Sequence, residues 1–118
     1  MILEDIKNKL EQIDNRVYYG IVDKEVKETL WNYIVFNRVK FKASSNKTGY
    51  SYYYDVHIIR ENFIPEDLEI EVINKILEIS GMRLSEDDFQ YEYIEKPNTN
   101  IVIEMLSIRF VRAKKCLP

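Results

Sequence analysis

Hydrophobic and polar residues follow two different periods along the chain, and each period predicts a different kind of element. Apolar side chains recur at helical spacing in residues 2–14, and again in a segment that opens with Pro65-Glu66-Asp67 and closes with Ser80-Gly81. The period falls to two in residues 30–42 and 50–60, which is typical of strands. The pattern therefore predicts two helices with a pair of long strands between them.

The two long strands are predicted to form a β-hairpin, because the polar segment 43–49 between them is rich in turn residues. The tip of this hairpin is predicted to be a long flexible loop. In the second strand, one face is predicted to carry Tyr50, Tyr52, Tyr54, Val56 and Ile58. In the first strand, strict alternation puts Trp31, Tyr33, Val35, Val39 and Phe41 on one face and Asn32, Ile34, Phe36, Arg38, Lys40 and Lys42 on the other.

Three further segments also have strand composition. Residues 17–22 and 101–112 are rich in β-branched and aromatic residues, and residues 87–95 contain a short aromatic strand around Tyr91 and Tyr93. The resulting order, α-β-β-β-α-β-β, predicts an α+β fold in which two helices pack on a mostly antiparallel sheet. No repeat, linker or low-complexity tract interrupts the sequence, so residues 1–118 are expected to form a single domain.

Acidic and basic side chains are segregated along the chain. The formal net charge is −3 at pH 7, but residues 61–95 hold eleven acidic side chains and only two basic ones. Basic residues concentrate in the hairpin and at the C-terminal end, where they are Arg109, Arg112, Lys114 and Lys115. Two unlike surfaces on identical subunits can meet head to tail and close into a ring, although an unevenly charged monomer explains the same composition.

The sequence has the features of a soluble protein made in the cytoplasm. Residues 1–5 are acidic where a signal peptide is basic, and no apolar run is long enough to cross a bilayer. The lone cysteine, Cys116, fits a reducing compartment. We therefore expect no membrane partner.

No combination of residues predicts catalysis, a cofactor or a metal site. His57 is the only histidine and is interpreted as a surface or edge-strand residue, because the sequence offers no nucleophile or acid to accompany it. Cys116 lies too near the end of the sequence to be held against a base. Three glycines cannot form a phosphate-binding loop, and residues 86–88 are interpreted as a solvated acidic turn. The protein is therefore predicted not to be an enzyme.

The composition of the hairpin is also compatible with nucleic-acid binding. Arg38, Lys40, Lys42 and Lys47 are interleaved with tyrosines, as on the sheets that stack bases. Edge hairpins have a similar composition, since tyrosine favours strands and lysine protects strand edges. A small protein that binds single-stranded nucleic acid through this hairpin is therefore an alternative function.

Several stretches of the sequence resemble small tail-completion proteins of long-tailed phages and prophages, which are also called tail-to-head joining or tail-terminator proteins. These stretches are residues 17–20, 31–36, 56–65, 98–100, 102–106 and 109–112. These stretches are distributed over almost the whole chain and consist of packing and turn residues. The resemblance implies a subunit of a ring, expected to be a hexamer, that caps the tail tube and docks on the head connector while DNA passes through its lumen.

The resemblance implies that the partners are further copies of the chain, the tail tube protein and the head connector protein. The hairpin loop is expected to contact a partner through Lys42, Ser44, Ser45, Asn46 and Lys47. Charge predicts subunit contacts that pair Arg38, Lys40, Arg109 and Arg112 with Glu66, Glu69 and Glu71. Such a protein occurs in the host cytoplasm during assembly and then in the virion, at the head–tail junction. Another head–tail adaptor or minor structural role stays open.

Overall fold

The computed structural model describes residues 1–22, 31–43 and 49–115, and within them the chain folds into two helices and six strands. The helices are α1 (Ile2–Glu11) and α2 (Leu68–Leu77). The strands are β1 (Val17–Tyr19), β2 (Tyr33–Ala43), β3 (Gly49–Glu61), β4 (Met82–Leu84), β5 (Tyr91–Glu95) and β6 (Val102–Lys115). These strands form one mostly antiparallel sheet, so the predicted α+β fold is confirmed.

The sheet is organised around its two longest strands, β3 and β6. They pair along all 13 residues of β3, from Gly49 opposite Lys115 to Glu61 opposite Ile103, without a register shift. β2 lies on the other side of β3, and the short β1 adds to β2 in parallel. The outer side of β6 is shared, because β4 pairs with one part of it and β5 with another. The start of β6 and the end of β6 therefore have different neighbours.

Both helices pack on one face of the sheet, which we call the helix face; the other is the open face. Ile6 and Leu10 of α1 and Val72 and Ile76 of α2 are fully buried there. The sheet contributes Ile34, Phe36, Val56, Ile58, Leu106, Ile108 and Phe110 to the same core. Burial of this continuous apolar layer is the main favourable contribution to folding. The core also confirms that Tyr52, Tyr54, Val56 and Ile58 share one face of β3, as predicted.

The predicted faces of β2 are wrong beyond Arg38. The pairing of β2 with β3 shifts by one residue between Arg38 and Lys40, so Val39 forms a β-bulge. Phe41 consequently lies on the helix face opposite Tyr52, whereas Lys40 moves to the open face. Strict alternation in the sequence cannot reveal the extra residue, and one extra residue exchanges the faces of every position that follows it.

Some predicted boundaries shift, and one strand is not predicted at all. β1 ends at Tyr19 rather than at residue 22, because Gly20 takes a positive φ of 78° and turns the chain. α2 ends at Leu77, ahead of Gly81, which has the expected positive φ of 80°. β4 has only 3 residues, too few to display a period, and its pairing with β6 alone defines it.

The molecule is elongated, with extents of 56 × 27 × 22 Å over the described residues. Its long strands continue past the helices, since Phe41 lies on the helix face and is still 65% exposed. Within residues 1–22, 31–43 and 49–115, no helix is both long enough and apolar enough to span a bilayer.

Truncation of two phenylalanines should locate the boundary of the core. Phe110 is fully buried on the helix face, so Phe110→Ala should lower the free energy of unfolding by about 3–5 kcal/mol. Phe41 lies on the same face but is largely exposed, so Phe41→Ala should lower it by less than about 1 kcal/mol. Urea denaturation of both variants and the wild type measures the two losses. Equal losses would contradict the boundary.

Candidate protein-protein interface

One end of the molecule, which we call the basic end, carries cationic side chains on the last residues of β2 and β6. Its described cations are Arg38, Lys40, Lys42, Arg112 and Lys114. Register brings them together, because Phe41 of β2 lies opposite Tyr52 of β3, which in turn lies opposite Arg112 of β6. Residues far apart in the sequence therefore form one surface at the end of the hairpin.

A groove of about 140 Å³ lies between the start of α1 and the helix face of the basic end. It is lined by Met1, Ile2, Leu3, Arg38, Tyr52, Tyr54, Arg112 and Lys114. The Nε of Arg38 donates to the hydroxyl of Tyr19 over 3.3 Å, and the Nε of Arg112 donates to the carbonyl of Ser80 over 3.0 Å. These contacts use one donor of each guanidinium and hold both side chains at the groove, which suits it to anionic groups.

Lys40 lies on the open face, apart from the two arginines of the groove. Its Nζ lies 4.9 Å from the centroid of the Tyr53 ring, a cation–π contact. A second groove of about 250 Å³ surrounds the bulge and is lined by residues 38–41 and 52–54. The bulge therefore distributes positive charge over both faces of the strand end.

Arg109 does not belong to the basic end. Its Nε and one terminal nitrogen donate to the two carboxylate oxygens of Asp55 over 2.8 and 3.0 Å, on the open face in the middle of the sheet. This bidentate contact raises the pKa of Arg109 above its ordinary value. Because Asp55 neutralises it, Arg109 contributes little to attraction between subunits.

The opposite end of β6 is acidic. This acidic end consists of the start of α2 with the two residues before it, of β5, and of the start of β6; its carboxylates are Glu66, Asp67, Glu69, Glu71, Glu92, Glu95 and Glu104. The hydroxyl of Tyr91 donates to Glu69 over 3.3 Å, and the hydroxyl of Tyr93 donates to Glu104 over 2.7 Å. These two contacts hold β5 against α2 and β6, so the carboxylates of three elements lie close together.

Exposed apolar side chains accompany the carboxylates of the acidic end. Phe63 is 67% exposed, Tyr93 is 60% exposed and Val102 is 45% exposed. A shallow groove of about 440 Å³ runs past Tyr93, Ile94 and Val102. Exposed aromatic residues beside charged ones are typical of surfaces that bind other proteins.

The edge-strand interpretation of His57 is wrong, although the residue does lie on the open face of the sheet and is only partly buried. β3 is a central strand, and the His57 ring lies between Asn37 of β2 and Ser107 of β6. Its Nε2 lies 2.8 Å from Oδ1 of Asn37, which can only accept, so this nitrogen carries the proton. Its Nδ1 lies 2.7 Å from the Ser107 hydroxyl and accepts from it. The sequence gives no signal for this row, because only strand register brings the three residues together.

A serine paired with a histidine is also the start of a nucleophilic site, but this row lies flat across three paired strands. The row instead fixes the lateral positions of the three strands through side-chain hydrogen bonds. In the part of the chain that the structure describes, no cluster of histidine, cysteine or carboxylate groups is arranged to hold a metal ion.

Four of the predicted loop residues, Ser44, Ser45, Asn46 and Lys47, lie outside the described residues, as does Cys116. Lys42 is described and is exposed at the end of β2. The predicted carboxylates Glu66, Glu69 and Glu71 all lie at the acidic end, and Glu66 and Glu71 are exposed. Of the predicted basic residues, the register brings Arg38 and Arg112 into one groove.

Acidification should weaken the fold through His57. Burial lowers the pKa of His57 below its ordinary value of about 6.5, with Arg109 acting in the same direction and Asp55 and Glu92 opposing. The unfolded chain therefore takes up a proton near pH 6.5 that the folded protein resists. The stability that neutral His57 contributes is present above about pH 6.5 and is lost as the pH falls toward the folded pKa. Denaturation between about pH 7.5 and 5.5 should show this loss in the wild type and not in His57→Gln; equal slopes would contradict it.

Comparison with known proteins adds no assignment. No protein-family model matches the chain, and no curated protein sequence matches it either. The functional inference therefore depends on the fold, the two charged ends and the resemblance of short stretches.

Proposed function

We propose that the protein is a virion assembly subunit, a tail-completion or tail-terminator protein that forms a ring on the phage tail tube and docks on the head connector. The observation that carries the proposal is the separation of a basic end from an acidic end along one elongated sheet. Complementary surfaces at opposite ends of a subunit are what head-to-tail association requires. In this role the protein moves from the host cytoplasm into the head–tail junction of the virion, and DNA crosses the ring.

Opposite charge on the two ends favours one arrangement of identical subunits. Two basic ends or two acidic ends repel each other, whereas a basic end attracts the acidic end of the next copy. This contact is heterologous, and it closes into a ring when the rotation between copies permits. Salt limits the attraction between exposed charges to about 8 Å at physiological ionic strength, so the charges orient subunits already close to contact.

Aromatic side chains at the basic end supply the apolar area that a stable contact needs. The ring of Phe41 stacks on Tyr52 with centroids 5.6 Å apart and meets Tyr50 edge-on at 6.0 Å. Phe41 is 65% exposed and Tyr50 is 38% exposed, although their rings already contact each other. A preformed aromatic cluster loses little conformational freedom on binding, and aromatic residues dominate the energetics of interfaces.

Binding of single-stranded nucleic acid is a second candidate, favoured by the contact of Lys40 with the Tyr53 ring. The hairpin tyrosines are divided between the faces, however, and Tyr54 is only 3% exposed. Base stacking in series needs several free rings on one face. Salt-sensitive binding of a single strand, lost in Lys40→Ala, would favour this candidate over assembly.

A head–tail adaptor and a tail-completion protein differ in the partner that they bind. Purified tail tubes and DNA-filled heads are incubated separately with the protein, and bound protein is recovered by sedimentation. Binding to tubes supports tail completion, and binding to heads alone supports an adaptor.

Reversal of charge at the acidic end should impair assembly. The double variant Glu69→Lys with Glu71→Lys replaces two acids in the first turn of α2. It should weaken association between subunits by roughly tenfold or more, because it turns attraction for the basic end into repulsion. Sedimentation velocity over a range of protein concentrations measures the association.

The matched control makes the same change in the first turn of α1, with Glu4→Lys and Asp5→Lys. Both double variants change the charge equally and lose the same favourable interaction with a helix N terminus. The control lies beside the basic end, where added positive charge favours the acidic end of the next copy, so it should associate at least as strongly as the wild type. Impairment of both variants to the same extent, or of neither, would contradict pairing of the two ends.

A further inference from the structure

Among the residues that the structure describes, the outer edge of β2 has no pairing partner along the basic end. β1 covers β2 only from Ile34 to Phe36, and no described residue pairs with the outer side of residues 38–43. This edge carries alternating cations and the largely exposed Phe41. An exposed strand edge with an aromatic side chain is a template for another strand.

A second unpaired edge lies at the acidic end, on the other side of the sheet. β5 pairs with β6 on one side, and no described strand covers its other side. All five of its residues are exposed, including Tyr91 at 46%, Tyr93 at 60% and Ile94 at 41%. This edge combines aromatic side chains with Glu92 and Glu95.

The backbone groups that each edge offers follow from the observed hydrogen bonds. The carbonyl of Phe36 accepts from the N–H of Gly20 over 2.9 Å, on the side of β2 away from β3. Backbone groups alternate in direction along a strand, and the extra residue at the bulge shifts that alternation by one. The N–H and C=O of Phe41 therefore also point away from β3. In β5, the N–H of Lys96 donates across to Ile101 over 2.9 Å, so residues of the opposite parity, such as Tyr93, direct their groups outward. Both edges therefore present unpaired donors and acceptors.

We propose that β2 of one copy pairs with β5 of the next copy, so that the sheets of neighbouring subunits become continuous. This inference rests on the proposed ring-forming function and specifies its contact. β2 and β5 run in opposite directions within one copy, because three antiparallel pairings separate them. Two copies placed side by side, with their helices on the same side, therefore bring the two edges together antiparallel.

One register satisfies both the backbone and the side chains. With Phe41 opposite Tyr93, two residues with outward backbone groups face each other and form a hydrogen-bonded pair. Their aromatic rings then lie on the same helix face, and Lys42 comes opposite Glu92 on the open face. Aromatic and oppositely charged cross-strand pairs each contribute roughly 0.2–1 kcal/mol.

The features that guard the β2 edge also select its partner. A bulge and exposed lysines are devices that prevent edge-to-edge pairing with unrelated strands. Lys40 and Lys42 repel a second basic edge, because pairing of two β2 strands as a symmetric dimer would place like charges opposite each other. An acidic aromatic strand such as β5 is not repelled, and the contact therefore becomes specific for the opposite edge.

The pairing also fixes how neighbouring copies are displaced. Within one copy, Phe41 lies level with Arg112 of β6, whereas Tyr93 lies level with Glu104. Eight residues of strand separate these levels, so successive copies shift by about 27 Å along the strand direction. A closed ring built in this way has strands steeply inclined to its axis, and copies that do not close give a filament.

Disulfide formation between copies tests this pairing directly. Lys42→Cys and Glu92→Cys are made separately in a Cys116→Ser background, mixed in equal amounts and oxidised. A non-hydrogen-bonded antiparallel pair has Cα atoms about 4.5 Å apart, within the range that a disulfide spans. We expect a covalent dimer that forms at least tenfold faster in the mixture than in either variant alone.

The matched control mixes Lys42→Cys with Glu71→Cys, which lies at the acidic end but on α2. Equal cross-linking in both mixtures would show attraction between the ends without strand pairing, and so would overturn this inference while leaving the proposed function intact. Cross-linking of Lys42→Cys to itself would indicate a symmetric contact and overturn it too. A wild-type chain that stays monomeric at every concentration and does not bind tail tubes would contradict both this inference and the proposed function.

Discussion

The uninterrupted pairing of β3 with β6 is the constraint on which the rest of the structure depends. It runs through all 13 residues of β3, so the position of each residue in one strand fixes its partner in the other. Successive residue pairs of this one ladder position the core, the row that contains His57, and the basic end. A slip of a single residue would exchange the faces of β6 and expose the buried side chains Ile108 and Phe110.

This ladder also explains why charge segregated in the sequence becomes charge segregated in space. The acidic segment leaves β3 at Glu61, forms α2 and returns through β5 to the start of β6. The basic residues of β2 lie level with the end of β6, because β3 connects the two levels. Two ends of opposite charge and two strand edges of opposite charge thus follow from one register. The association that we propose uses both features, since the charges would orient the edges whose backbone groups then pair.

Much of the fold could be predicted from the sequence, because helices and long strands leave clear periods. The buried row of β3 and the two amphipathic helices were predictable from apolar spacing alone. The bulge at Val39, the three-residue strand β4 and the row of Asn37, His57 and Ser107 were not. Each of these depends on which strand lies beside which, and that information is not local in the sequence. The charge asymmetry was predictable because acidic and basic residues are segregated along the sequence. The neutralisation of Arg109 by Asp55 was not, because it depends on which strands are neighbours.

A mixing experiment with two edge variants tests head-to-tail association of the two edges most directly. Phe41→Pro removes an outward N–H from β2, and Tyr93→Pro removes one from β5, at edge positions where proline leaves the inner ladder intact. Each variant alone should stay monomeric in sedimentation velocity, because every contact would contain one blocked edge. An equimolar mixture should form a 1:1 dimer and stop there, since only one pair of intact edges remains. Assembly of either variant alone to the wild-type extent, or a mixture that stays monomeric while the wild type assembles, would contradict the account.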